Sequence, residues 1–436
     1  MKAQGSRRSG NRNPKDGFPT STSGAPFRGA EDLRTGYFTA SYVSSIDDSE
    51  QPFALWVPRT YSRRRAYPLL VALHGTDADE RMIPEQCFQM HERGFREDVI
   101  FLSPFGRGDL GWQFLGEADV WETIDWVRQR YRIDARRQYL TGLSMGGFAT
   151  WRLACAYPEQ WAAIAPVCGG GDPNLLSALK RIPVWCVHGA RDPTVAADHT
   201  RRIVAELKRL KYCHRYDELP GWGHNSWEWL YNPDRKRATM ADWFRKFRKA
   251  KAAPPILHPR RQGVFKDLFS ERVVISFPAR SGIPRETELL RAEAESFARF
   301  SFGDLVMRRG KLIVKTDEEL THGELASANH LILGRTDNHR WLEAAQRRLL
   351  ARHVRGRLFV RGETYLGKTL IAATCQRSPW NRERLLGVVT YQQFQQVRGI
   401  AEQLCAGKPE PLAVNVFDPQ QRRFLRQEAF DAANAW

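Results

Sequence analysis

Apolar, β-forming segments alternate with amphipathic helical patterns along most of this chain, and that rhythm limits the fold more than any other feature. From about residue 35 to 250, "GYFTASYV" and "PFALWVP" read as an opening pair of strands, followed by "YPLLVALHG", "DVIFLSP", "RQYLTG", "WAAIAPVCG", "IPVWCVHG" and "CHRYDELP". Between them, "DVWETIDWVRQRYRI", "MGGFATWRLACAYPEQW", "DHTRRIVAELKRLK" and "RATMADWFRKFRKAK" carry apolar residues at helical spacing. Near-continuous apolar strands separated by helices indicate a mainly parallel sheet, doubly wound, with helices on both faces.

"KAAPPILHPRRQG", 251–263, has the proline and charge content of a linker. A second alternation follows over 264–420, from "ERVVISFP" and "RETELLRAEAESFARF" to "YQQFQQVRGIAEQL" and "PLAVNVFD". It predicts a smaller α/β domain of ordinary size, with 421–436 as a tail. Residues 1–32 are basic and rich in glycine, serine and proline, which is the composition of a disordered segment. That segment lacks an apolar export core, and no run approaches a membrane span, so a cytoplasmic location is expected. Seven scattered cysteines form no C-x-x-C pair or zinc spacing and read as reduced, buried thiols.

The net charge of +18 could point to nucleic acid. However, the lysines and arginines are interleaved with apolar positions in "RRIVAELKRLK" and "WLEAAQRRLLARHVRGR", the pattern of solvated helix faces. No nucleic-acid partner is expected, and anionic substrates or surfaces would still be attracted.

The chemistry concentrates at "YLTGLSMGGFATW". Gly142-Leu143-Ser144-Met145-Gly146 fits G-x-S-x-G between a strand and a helix. A serine on so sharp a turn needs neighbours almost without side chains. Its hydroxyl is a weak nucleophile until a base takes the proton, and an acid must orient that base. Downstream, "HGARDPTV" places Asp192 and "GWGHNSWEW" places His224, each in a loop after a strand. The carboxyl ends of parallel strands are where an open sheet builds its site. Ser144, Asp192 and His224 are the predicted catalytic residues. Two backbone amides must hold the oxyanion, and the expected donors are Met145 and Thr76, the latter in "LLVALHGTDADE". His74 and His188 read as structural.

"LHGTDADE", "GLSMGG", "HGARDPTV" and "GWGHNSWEW" together resemble the feruloyl esterase and polyhydroxybutyrate depolymerase-like branch of the α/β-hydrolases, which includes peptidases related to prolyl oligopeptidase. The resemblance covers about 35–250, within a catalytic domain expected over 33–250, and implies an α/β-hydrolase fold with that triad and no cofactor or metal. Family members commonly carry small glycines after the "HG", where this chain has Thr76-Asp77-Ala78-Asp79. Carboxylates facing the oxyanion would oppose its charge. The segment 264–420 resembles, more weakly, the extension that follows the hydrolase in some large bacterial peptidases, and a lid, interaction or scaffold role is its default.

Trp112, Trp222 and Trp227 are candidate acyl contacts, and Arg107 with Asp109 candidate contacts to a polar leaving group. The predicted function is hydrolysis of small or polymer-derived carboxylic esters through an acyl-enzyme. A serine peptidase using the same residues, or a binding protein on a hydrolase body, are the alternatives.

Overall fold

The computed structural model describes residues 33–180, 182–232, 239–256, 261, 264–299, 301–302, 305–354, 356–366, 369–406 and 412–429. The basic tail predicted over 1–32, parts of the predicted linker and the end of the chain from 430 lie outside them.

The first alternation folds as one eight-stranded sheet. Its strands are β1 Gly36–Val43, β2 Glu50–Val57, β3 Tyr67–Leu73, β4 Ile100–Pro104, β5 Ile133–Leu143, β6 Ala163–Val167, β7 Val184–Gly189 and β8 His214–Leu219. They lie in the order β1-β2-β4-β3-β5-β6-β7-β8. The β1–β2 and β2–β4 pairs are antiparallel, and every later neighbour is parallel. All seven residues of β3 and all five of β6 are buried, as a sheet covered on both faces requires. Covering helices include α1 Leu115–Arg130, α2 Met145–Ala156 and α3 Asp198–Arg209. In α3, Thr200, Ile203, Val204 and Leu207 face inward at three- and four-residue spacing.

The second alternation forms a seven-stranded mixed sheet. It contains β9 Val273–Phe277, β10 Ile313–Thr316, β11 Asn329–Leu333, β12 Ile371–Arg377, β13 Leu385–Tyr391, β14 Val414–Asp418 and β15 Arg423–Glu428, in the order β10-β9-β11-β13-β12-β14-β15. Helix α4, Pro284–Arg299, starts on a proline, whose fixed φ and missing N–H suit the first turn, and buries Leu290, Ala294 and Phe297.

Several details differ from the sequence reading. Strand β15 occupies part of the predicted tail; it is a polar edge strand without an apolar run. The helix expected over "YQQFQQVRGIAEQL" is a 3₁₀ turn, Phe394–Val397, and a separate helix, Ile400–Ala406. Gly399 between them adopts φ +77°. The helix in "RATMADWFRKFRKAK" spans only Met240–Phe244 among the described residues. All seven cysteines are unpaired, but Cys87 and Cys155 are half-buried and Cys213 is exposed. Among the described residues no helix is long and apolar enough to cross a membrane.

The two sheets share a core. Ile46, Leu110, Phe114, Leu115 and Ala118 join Phe265, Leu268, Phe269, Met307 and Leu312 in one buried cluster. Burying each leucine, isoleucine, phenylalanine or methionine among them stabilises the fold by about 1.5–3 kcal/mol relative to exposure. The described residues from Arg34 onward accordingly pack as one unit.

Candidate active site

Four parallel strands deliver the predicted residues to one edge of the first sheet. Beyond β3 come His74, Gly75 and Thr76; β5 runs directly into Ser144; Asp192 follows β7, and His224 follows β8.

Ser144 adopts φ 53° and ψ −117°, a strained turn that lifts its side chain off the sheet. Close backbone packing explains the flanking glycines. A Cβ on Gly142 would lie 2.3 Å from the Gly146 carbonyl oxygen, and one on Gly146 2.0 Å from that of Leu73. The turn is anchored by the Ser144 amide, which donates to Val167 O at 3.0 Å.

Asp192, His224 and Ser144 form a continuous chain. His224 Nδ1 lies 2.7 Å from Asp192 Oδ2, and its Nε2 lies 2.9 Å from Ser144 Oγ. Asp192 Oδ1 accepts the amides of Thr194 and Val195, each at 2.9 Å. Burial works to raise the Asp192 pKa, but the hydrogen bonds from His224 and the two amides outweigh it, and the pKa falls below the ordinary carboxylate value. An ionised carboxylate only accepts, so His224 carries its proton on Nδ1 and leaves Nε2 free to accept from the Ser144 hydroxyl. The arrangement can take a proton from Ser144 and hold the resulting imidazolium.

Met145 opens α2, whose first amides have no partner within the helix. Thr76 is exposed in the loop beyond β3. His74 spans two loops, with Nδ1 2.8 Å from Gly75 O and Nε2 2.9 Å from Phe105 O, and burial lowers its pKa. His188 Nε2 lies 2.9 Å from Val195 O and 3.3 Å from Asp192 Oδ2, behind the carboxylate.

Three predicted substrate contacts are corrected. Arg107 is wholly buried, with Nε 2.9 Å from Asp119 and Nη1 2.8 Å from Asp47, so it cannot meet a leaving group. Trp112 is also wholly buried; its Nε1 donates to His74 O at 3.1 Å and its ring packs edge-on against His74. Asp109 is likewise buried and bound within the protein. Trp222 and Trp227 are half-buried in the His224 loop, with Trp227 edge-on to the His224 ring at 5.4 Å.

Two neighbours escaped the sequence reading. Phe148, one turn along α2 from Ser144, is 38% exposed. Cys168, Asp192 and His224 each offer an atom within 4.8 Å of the others, a spacing that could hold a metal ion. The carboxylate and imidazole of that group already bond within the triad, and burial pushes the Cys168 thiol up to about 12, far from a thiolate nucleophile at neutral pH.

Residues 44–234 match the Esterase family model. The chain is 35% identical over 155 residues to the bifunctional acetylxylan esterase/xylanase XynS20E of Neocallimastix patriciarum, covering 34% of this chain and 22% of that protein. It is 25% identical over 194 residues to "Probable feruloyl esterase C" of Aspergillus oryzae, covering 42% of this chain and 70% of the relative. Over 83 residues it is 41% identical to poly(3-hydroxyalkanoate) depolymerase C of Paucimonas lemoignei, covering 19% of this chain and 20% of that protein. The chain thus spans about a fifth of two of these relatives and more than two thirds of the third. Strand order, the turn at Ser144 and the family match agree: over residues 44–234 this chain is similar to the α/β-hydrolases of the esterase family.

Proposed function

We propose that the protein hydrolyses carboxylic esters through an acyl-enzyme formed on Ser144. The observation that carries the reading is the unbroken hydrogen-bond chain Asp192–His224–Ser144. Ser144 Oγ attacks the acyl carbon while His224 Nε2 takes its proton, and Asp192 holds the imidazolium. The amides of Met145 and Thr76 stabilise the oxyanion. As the C–O bond breaks, His224 returns the proton to the leaving alkoxide. Water, deprotonated by His224, then attacks the acyl carbon and releases the acid and Ser144. Phe148, one turn from Ser144, and Trp227, beside the His224 ring, are aromatic neighbours of this centre, which favours an aromatic or otherwise bulky apolar acyl group. The esterase-family match favours ester over peptide bonds.

The test is a fluorophosphonate probe with peptide mapping, beside rates on aryl esters, feruloyl esters and peptide anilides. An adduct on Ser144 is expected, with faster turnover of esters than anilides. Wild-type protein that is neither labelled nor active would leave a binding role on a hydrolase body. Labelling with anilides preferred would make the protein a peptidase.

A further inference from the structure

The loop that supplies the Thr76 amide carries Asp77, with a side chain 94% exposed, and rests on the buried Asp109. Left alone, these carboxylates would set a negative field beside a developing oxyanion. The second half of the chain meets both. Asp77 adopts φ 58°, and its amide donates to Asp109 Oδ1 at 2.8 Å. Asp109 Oδ2 accepts from Arg308 through Nε at 3.0 Å and through Nη2. Arg308 Nη1 donates to Ala78 O at 3.0 Å, and Nη2 lies 3.7 Å from Asp77 Oδ1.

Backbone contacts hold this arginine in place. The Arg308 amide donates to Arg107 O at 3.2 Å, and Met307 bridges to Gly108 in antiparallel register. Gly108 adopts φ +78°, and a Cβ there would meet Arg308 Cγ at 2.6 Å. Met307 itself lies in the core shared by the two sheets.

We propose that Arg308, supplied by the C-terminal half, is a positioning residue for the oxyanion pocket: through Asp109 and Ala78 it fixes the backbone that aims the Thr76 amide, and its charge offsets Asp77 and Asp109. This rests on the hydrolase reading above. It also assigns the C-terminal half a part in the reaction, as the clamp that lets this loop carry aspartates where small glycines would otherwise serve. An oxyanion donor must sit about 2.7–3.1 Å from the developing charge. A misplacement of about 1 Å can lower the rate on the order of 100-fold.

The full chain and its Arg308→Ala variant are compared on 4-nitrophenyl acetate and in amide hydrogen exchange over residues 75–81. The Arg308 side chain is 34% exposed, so the variant should fold. Expected are a fall in kcat of about 10- to 100-fold with KM little changed, a parallel loss of affinity for a trifluoromethyl ketone, and faster exchange in that segment. Arg308→Lys, which keeps the charge but not the fork, should recover part of the rate. Adding Asp109→Asn to Arg308→Ala should also recover part, since the amide oxygen can still accept from Asp77 while the charge is gone; a purely structural prop would give no such rescue. Unchanged kcat in Arg308→Ala with active wild-type protein overturns the proposal and leaves the hydrolase reading intact. If wild-type protein shows no Ser144-dependent hydrolysis, the hydrolase reading fails, and unchanged exchange over 75–81 overturns the clamp independently.

Discussion

Each half of the molecule brings a serine, a histidine and an aspartate together near strand ends, yet only one set is arranged for chemistry. In the second sheet, Ser276 Oγ lies 3.2 Å from His339 Nε2, with Asp317 close by. Ser276, however, sits inside β9, wholly buried, and His339 is 1% exposed. The Asp317 carboxylate accepts the amides of Ala279 and Arg340, at 2.8 and 3.1 Å, and ties loops together. In the first sheet the same residue types meet at a strained turn, where Ser144 is partly exposed and the His224 side chain is 21% exposed. Residue type and proximity do not make a nucleophile. The sharp turn does, by carrying a hydroxyl out of the strand ladder to a rim a substrate can reach.

The widest separation between the halves should appear on exchanging their histidines. His224→Ala should lower kcat/KM on an aryl ester by about 10⁴-fold or more, since members of a catalytic triad act as a unit. Its thermal midpoint should barely move. His339→Ala should leave the rate within about twofold and lower stability by about 1–3 kcal/mol, because it leaves the Ser276 hydroxyl buried without its partner. Rate assays beside denaturant melts read both effects. A large rate loss in the His339 variant would erase the distinction.

Buried arginines sharpen the contrast at the next level. Arg107 is wholly enclosed with Asp47 and Asp119, so Arg107→Met strands two carboxylates away from water. A loss of about 3–5 kcal/mol in unfolding free energy is expected. Arg335, in the other half, pairs with Glu286 at 2.7 Å and Asp337 at 2.8 Å. Glu286 also accepts from Tyr391 at 2.6 Å and Asn338 at 3.2 Å, and Asp337 is more than half exposed. Arg335→Met should therefore lower stability less, by about 1–3 kcal/mol. Equal losses in urea melts would mean that burial does not set the difference.

These cases mark what local sequence can and cannot carry. The apolar strands and the meeting of Ser144, Asp192 and His224 at one sheet edge were legible because each rests on a short window: an apolar run, a glycine-flanked serine, an acid or a histidine just past a strand. Arg107 was misread because "GRGDLG" looks like an exposed loop. Its partner Asp47 is 60 residues away, and the loop is also bridged by the second half, at Gly108–Met307. Arg308, in "VMRRGK", has no local signature at all; its meaning lies 199 residues earlier, at Asp109. Strand β15 escaped notice because pairing, with no apolar run, defines it.

The smallest effect expected is a pH dependence of stability that histidines, not the Asp192 carboxylate, should set. Burial lowers the pKa of His74 and His188 in the first half and of His330, His339 and His353 in the second, with His339 at about 4. An unfolded histidine titrates near 6.5, so below that pH the unfolded chain binds protons that the folded chain refuses. Stability must then fall as pH drops from about 6.5 toward the lowered values. At pH 5, His339 alone should account for about 2 kcal/mol, from roughly 1.5 units at 1.36 kcal/mol each. Asp192 has the same sign of dependence in a lower window: its lowered pKa keeps its contribution whole until the pH falls below the usual carboxylate value. Melts of wild type and His339→Gln at pH 7.5, 6.0 and 5.0 should show a shallower acid slope in the variant. An identical slope would place the acid sensitivity on the other buried histidines, His74, His188, His330 and His353, instead.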